Sequence, residues 1–363
     1  EFSSKLGRMS GMMPDTLSEF EQGPVRLAVQ GSFPRNYPVW RSIGAALFCA
    51  GPGMKEGLRP KTGEWLAVVD LQGEGSVTRL QYIWDDAGYP VFRRLPPRPL
   101  EKAENACQPA FCRNYLQAYQ EKYGWKLPEE TARALLAGGT VSHLLLCRKE
   151  TVVPVRGADG LEWFHLEFDG ELQEELARAA VETLRQAGCL RKEESGAKIV
   201  LLADHLRVAP AQIQEVMKLP KWPLLVRQKQ IMAGALRVGS RLNQGLITWE
   251  ERLPDLSLEI ADGYYKLFPL VRSQQMQAEA GCQKMEDSAR FQLPAGVREI
   301  RFPLVMKDAE TVSNVSAYLR GQWLPLPEPE TVSVSVHYDF SGENCYKLYF
   351  SPVGQGGGCP SLF

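Results

Sequence analysis

The residues best placed to do chemistry form the run Asp70-Leu-Gln-Gly-Glu-Gly75, where a carboxylate closes an apolar stretch and glycines follow. Glycine bares backbone N–H groups that a Cβ would otherwise shield. The plain alternative is an acidic hairpin turn with solvated carboxylates. Ala203-Asp204-His205 forms a second group. Asp204 suits a helix cap. With His205 and a remote serine it would suggest a hydrolase triad, but no G-x-S-x-G elbow occurs. Gly51-Pro-Gly-Met-Lys-Glu-Gly57 has a dinucleotide loop's glycines but follows a helical pattern, not a strand, and so fails that context. The eight cysteines include no C-x-x-C pair. Cys107 and Cys112 are the closest two, and no histidine or second pair follows at metal-ligand spacing. All eight are read as reduced thiols, which fits a cytoplasmic protein. The Asn314-Val-Ser316 acceptor has no secretory signal to give it meaning.

These groups need a scaffold, and the chain of 363 residues is long enough for two domains. A hydrophobic fraction of 44% supplies more than one core. The net charge of −1 gives no general attraction to nucleic acid or an anionic membrane, so neither is an expected partner. No run approaches the ~20 apolar residues that span a bilayer. Residues 1–24 read as a poorly ordered leader. Val25–Gln30 alternates as a strand, and Val39–Ala50 carries helical spacing. Glu64–Leu71 and Ser76–Trp84 read as strands joined by the glycine turn, a hairpin. Leu95–Pro99 is a rigid break. Phe111–Tyr123, Glu129–Leu136 and Gly170–Ala187 read as helices, the last stopped by Gly188. Leu144–Val155, Leu161–Phe168 and Lys198–Ala203 read as strands. Pro210–Met217 and Val226–Leu242 read as helices, with Gly245 closing the second.

From Glu250 short strands dominate: Leu256–Ile260, Tyr264–Val271, Ala289–Leu293, Val297–Val305, Val315–Leu319, Thr331–Phe340 and Tyr346–Phe350, the last two split by Ser341-Gly342. Val332, Val334, Val336 and Tyr338 alternate strictly. The expected organisation is a mixed α/β domain over residues 25–249, an all-β domain over 250–353 and a flexible tail over 354–363.

Four segments in order resemble the DnaK-type heat-shock chaperones of the actin-like ATPase superfamily. Ser42–Gly51 (SIGAALFCAG) resembles their E-P-T-A-A-A-L-A-Y-G helix. Trp65–Gln81 (WLAVVDLQGEGSVTRLQ) resembles the phosphate hairpin V-x-D-L-G-G-G-T-x-D-V-S. Ile199–Met217 resembles the adenosine motif V-x-L-V-G-G-S-x-R-I-P-x-V-Q, and Val226–Leu242 the helix with core D-E-A-V-A-x-G-A-A. Leu253–Ile260 resembles the start of the substrate-binding domain, and Leu319-Arg-Gly-Gln-Trp323 and the strands after it resemble its end. The resemblance covers roughly residues 25–352 and rests on order and spacing.

The resemblance implies an α/β actin-like ATPase lobe, a mixed sheet with helices, followed by an all-β sandwich substrate-binding-like domain. It implies a vestigial nucleotide site at Asp70, Gly73, Gly75, Ala203, Asp204 and Gly234, and departs from the family where chemistry needs it. Gln72 and Glu74 take up glycine places, and Glu74 adds negative charge where phosphate would sit. Arg41 stands at the place of the catalytic glutamate, and a guanidinium cannot act as a base; it is read as a salt-bridging surface arginine. Asp70 could still position a metal-bound water. Asp204 reads as a ribose contact or, preferably, a helix cap. His143, where the family clamps adenine, is read as a structural histidine. The family's other lobe has no room before Val25. No cofactor or metal is therefore expected, with ATP or ADP plus magnesium binding at most weakly. The expected function is a degenerate DnaK-like binding or scaffolding module without its own ATPase. Its expected partner is a protein or extended-peptide client, or a neighbouring chaperone-like chain. The alternatives are a chaperone unit completed by another lobe and an unrelated two-domain interaction protein. Tyr264, Tyr265, Leu267, Phe268, Phe302 and Leu304 are candidates for a peptide groove, and most are expected to be core.

Overall fold

The computed structural model describes residues 9–17, 24–25, 36–51, 54, 59–84, 89–100, 103–157, 160–187, 197–206, 224–242, 244, 246–252, 255–262, 264–271, 275–277, 283–307, 312–319, 324–338 and 346–353. It is a mixed α/β structure of two compact units, one from Met12–Thr16 and Val39–Arg237, the other chiefly from Val238–Phe363. The expected helix at Pro210–Met217, the stops at Gly188 and Gly245, the loop at 52–53 and 55–57, the turns at 320–323 and 341–342 and the tail at 354–363 lie outside the described residues. Of the expected strand at 25–30, only Val25 is described, and it is helical with Pro24. No helix among the described residues is long and apolar enough to cross a membrane.

The elements begin with β1 (Met9–Met13), β2 (Asn36–Trp40) and α1 (Arg41–Cys49). Then come β3 (Trp65–Asp70), β4 (Ser76–Trp84), β5 (Pro90–Arg94) and β6 (Arg98–Pro99). A helical group follows: α2 (Gln108–Tyr123), α3 (Glu129–Ala137) and α4 (Thr140–Cys147). After it are β7 (Thr151–Gly157), β8 (Gly160–Leu166), α5 (Gly170–Ala187), β9 (Lys198–Leu202), β10 (Leu224–Leu225) and α6 (Gln228–Leu242). The apolar run at Leu144–Val155, expected as one strand, is the end of α4 and the start of β7. Leu144 and Leu145 are buried one turn from Val141, a helical repeat that a short apolar run conceals.

In the first unit, strands run in the order β10, β9, β3, β4, β5, with β6 beside the start of β4. β10 and β3 are parallel to β9, while β4 and β5 are antiparallel to their neighbours. β3 and β9 are buried on both faces, which is why each reads as an unbroken apolar run. Ala67, Val69, Val77, Ile199 and Leu201 share one cluster with Phe111, Tyr115 and Leu116 of α2 and Leu172, Ala177 and Leu184 of α5.

α1 packs on β3 and crosses α6 at two glycines. A Cβ on Gly234 would lie 1.8 Å from the Gly44 carbonyl oxygen, and one on Gly44 would lie 2.9 Å from Ile231 Cγ2. Arg237 Nη1 donates to the Leu47 carbonyl at 2.6 Å, placing a cation at the negative C-terminus of α1.

The second unit holds β11 (Trp249–Arg252), β12 (Asp255–Asp262), β13 (Tyr264–Val271), β14 (Gln275–Gln277), β15 (Gln283–Leu293), β16 (Ile300–Lys307), β17 (Val312–Leu319), β18 (Glu330–Tyr338) and β19 (Tyr346–Pro352). One antiparallel sheet has the order β13, β12, β16, β17, and another β15, β18, β19. Leu256, Leu258 and Leu304 of the first share an apolar cluster with Val332, Val334, Val336 and Leu348 of the second. Phe302 stacks on Phe350 across them at 4.8 Å. Among the groove candidates, Phe302 and Leu304 are core, Phe268 is half-buried and Leu267 is exposed. The side chains of Tyr264 and Tyr265 lie outside the described residues.

Because the atom met at Gly234 is backbone, Gly234→Ala must separate two helices. We expect it to destabilise the chain by about 3 kcal/mol in urea unfolding. A loss below about 0.5 kcal/mol, the ordinary range of a surface change, would remove the crossing as a constraint.

Candidate functional site

The carboxyl ends of parallel strands β3 and β9 lie side by side, Asp70 paired with Leu202, and the Leu71 N–H reaches the Leu202 carbonyl at 2.9 Å. Crevices at such strand ends are where α/β sheets bind ligands. Asp70, Gly73, Gly75, Ala203 and Asp204 therefore gather at one end of the sheet. Gly234 is further along α6, at the crossing with α1.

Asp70 is buried at 4% exposure, so it is not the solvated carboxylate of an ordinary acidic turn. Arg41 Nη1 donates to both its oxygens, at 3.2 and 2.9 Å, and the Gln72 N–H donates to Oδ1 at 2.8 Å. Arg41 does form a salt bridge, as its sequence context suggested, but its side chain is only 16% exposed. Burial pushes the Asp70 carboxyl above its ordinary value. Arg41 pulls it down and Asp15 pushes it up, and the net direction remains upward. Ionised Asp70 thus depends on its guanidinium partner.

Arg41 is the first residue of α1, whose N-cap position, Trp40, supplies no capping side chain. Asp15 does that work from a remote turn. Its Oδ2 accepts the Ser42 N–H at 2.9 Å, and its Oδ1 accepts the Ser42 hydroxyl. Arg94 Nε donates to the same Oδ1 at 3.2 Å, and its guanidinium lies 4.3 Å from the Trp40 ring centroid. Two carboxylates and two guanidiniums therefore surround the positive end of α1. Asp15 and Arg94 carry no sequence signal: Asp15 lies in a polar stretch and Arg94 in a short strand.

The two glycines of the turn differ. Gly75 has φ +94°, which favours glycine, and an added Cβ would meet Cys107 Sγ at 2.6 Å. Its carbonyl accepts the Leu100 N–H, so this glycine serves the chain's own packing. Around Gly73 a Cβ would meet only Arg41 Nη1, at 3.7 Å. Glu74 is exposed. Ala203 is buried, and Asp204 Oδ2 accepts the Gln228 N–H at 2.8 Å, capping the first residue of α6. His143 is exposed on α4, its Nδ1 3.6 Å from Cys147 Sγ.

His205 is fully buried. Its Nε2 bonds to the Ala106 carbonyl at 2.9 Å, its own carbonyl accepts from Gln173, and Nδ1 has no partner among the described residues. Burial drives its pKa down to about 4, opposed by the Ala106 bond. It anchors the turn that carries Asp204.

No family model matches the chain, and no curated protein does. Among solved structures, MreB5 of Spiroplasma citri bound to ADP is similar at 9% identity over 65% of this chain and 70% of that one, with a TM-score of 0.35.

His205 makes a signed prediction. Its folded pKa is depressed, so its contribution is complete above the ordinary histidine value near 6.5 and is lost as pH falls toward about 4. Urea unfolding should lose about 1 kcal/mol per pH unit across that window. His205→Gln, which keeps a neutral donor, should flatten the profile; an unchanged slope would assign the loss to other groups.

Proposed function

We propose that this chain is a degenerate DnaK-like protein of the actin-like superfamily that binds or scaffolds other proteins and has no ATPase activity of its own. The observation that carries the reading is the Arg41–Asp70 pair. A carboxylate at this strand end would need its free oxygens to organise a metal-bound water. Here a permanent cation occupies both of them, with the Gln72 N–H on one. Exposed Glu74 adds a negative charge beside any phosphate, and Asp204 is committed to capping α6.

The second unit supports the binding half of the reading. Its two antiparallel sheets enclose a shared apolar cluster, as a β-sandwich does, and Leu267 remains 57% exposed on β13. The client is taken to be a protein or an extended peptide. Among the described residues Cys49, Cys112 and Cys147 are unbridged thiols, in keeping with a cytoplasmic setting.

A second reading, a nucleotide-dependent unit completed by another lobe or chain, is favoured by one observation. The Gly73 turn and the Ala203–Asp204 turn sit at the same end of adjacent parallel strands, and among the described residues a Cβ on Gly73 would meet Arg41 Nη1 alone within 4 Å.

Isothermal titration with ADP and with ATP, each with magnesium, separates the two. We expect no saturable heat at micromolar protein concentrations from this chain alone. Submicromolar binding, or multiple-turnover hydrolysis, would overturn the proposal.

A further inference from the structure

The strands β7 and β8 form their own two-stranded sheet, an antiparallel ribbon that joins no other strand among the described residues. Its register pairs Val152 with His165 and Pro154 with Trp163, so Val152, Trp163 and His165 share one face. Glu150 and Glu167 flank the end pair Thr151–Leu166, one step beyond it, and fall on that same face. The ribbon's inner side is anchored: Leu166 is 1% exposed and belongs to the first unit's core.

The outer side is unlike ordinary surface. Trp163 is 66% exposed, the most exposed large apolar side chain among the described residues, and Val152 is 56% exposed. An indole and a valine left in water on one face of the ribbon form an apolar centre of the kind interfaces use as an anchor. Two carboxylates stand at one end of it. Like charges facing each other across an antiparallel pair repel. Only an imidazole stands between them, His165 Nε2 3.0 Å from Glu150 Oε2 and Nδ1 4.0 Å from Glu167 Oε1. Among the described residues neither carboxylate meets a lysine or arginine.

We propose that this face docks a basic, extended segment of a partner protein, its arginine or lysine heads at Glu150 and Glu167 and its apolar side chains against Trp163 and Val152. Charge complementarity selects the occupant. The face offers negative charge and an aromatic ring, and a cation over an indole is favourable where water is excluded. An extended segment suits a ribbon, because alternate side chains of an added strand meet alternate side chains of the face. The face uses none of the residues gathered at the carboxyl ends of β3 and β9, so it stands or falls independently of the nucleotide question.

The test uses the full chain and a fluorescein-labelled hexapeptide of alternating arginine and valine, followed by fluorescence anisotropy, with the glutamate–valine counterpart as control. We expect saturable binding of the basic peptide only, weakened by salt. Trp163→Ala should weaken it about tenfold. Glu150→Gln with Glu167→Gln should weaken it and flatten its salt dependence. All three residues are exposed, so circular dichroism and urea midpoints should stay unchanged. Binding that ignores all of these substitutions, equal binding of the acidic peptide, or no binding would overturn the proposal. Zinc that binds saturably through His165 and displaces the peptide would instead make this face a metal centre.

Discussion

Charge balance at the positive end of α1 is the constraint on which the site depends. A helix leaves its first amides unpaired. Here the helix begins at Arg41 straight out of β2, with no capping side chain at Trp40. Asp15 reaches in from a distant turn to take the Ser42 amide and hydroxyl, and it is buried in doing so. A buried carboxylate needs a cation, and Arg94 supplies one. The end of β3 brings a second buried carboxylate to the same place, and Arg41 answers it. Loss of any one group strands another in a low dielectric.

The remaining contacts of α1 leave it little room to adjust. Two glycines set its approach to α6, and Arg237 holds its other end. α6 is in turn fixed at its first residue by Asp204, and Asp204 sits on a turn held by His205 against Ala106. A chain of backbone and side-chain contacts thus runs from the Asp70 strand end to the neighbouring strand end through both helices. Arg41 therefore meets Asp70 from a helix whose two ends are both fixed.

Much of the scaffold was legible in the residues. The unbroken apolar runs at Trp65–Asp70 and Lys198–Leu202 mark strands buried on both faces, and Val332, Val334 and Val336 alternate because one face meets the core. The glycine turn after Asp70 was also legible. The α4 segment was not, because four apolar residues in a row fit helix and strand alike. At the site, Arg41 and Asp70 each drew attention alone, but the sequence places them 29 residues apart and gives no sign of their contact. Asp15 was invisible because a helix cap supplied from outside the helix leaves no local motif. A Cβ on Gly75 would meet Cys107 Sγ, a neighbour 32 residues away that only tertiary packing brings near.

Arg41 and Asp70 act as one compensated unit. A double-mutant cycle measures this directly, with Arg41→Ala, Asp70→Ala and the double variant compared by urea unfolding at pH 7. Each single change should cost about 3 kcal/mol, and the double should cost little more than either one, a coupling of about 2 kcal/mol or above. Effects that add to within about 0.5 kcal/mol would show two independent residues and would reopen Asp70 to a metal and its water.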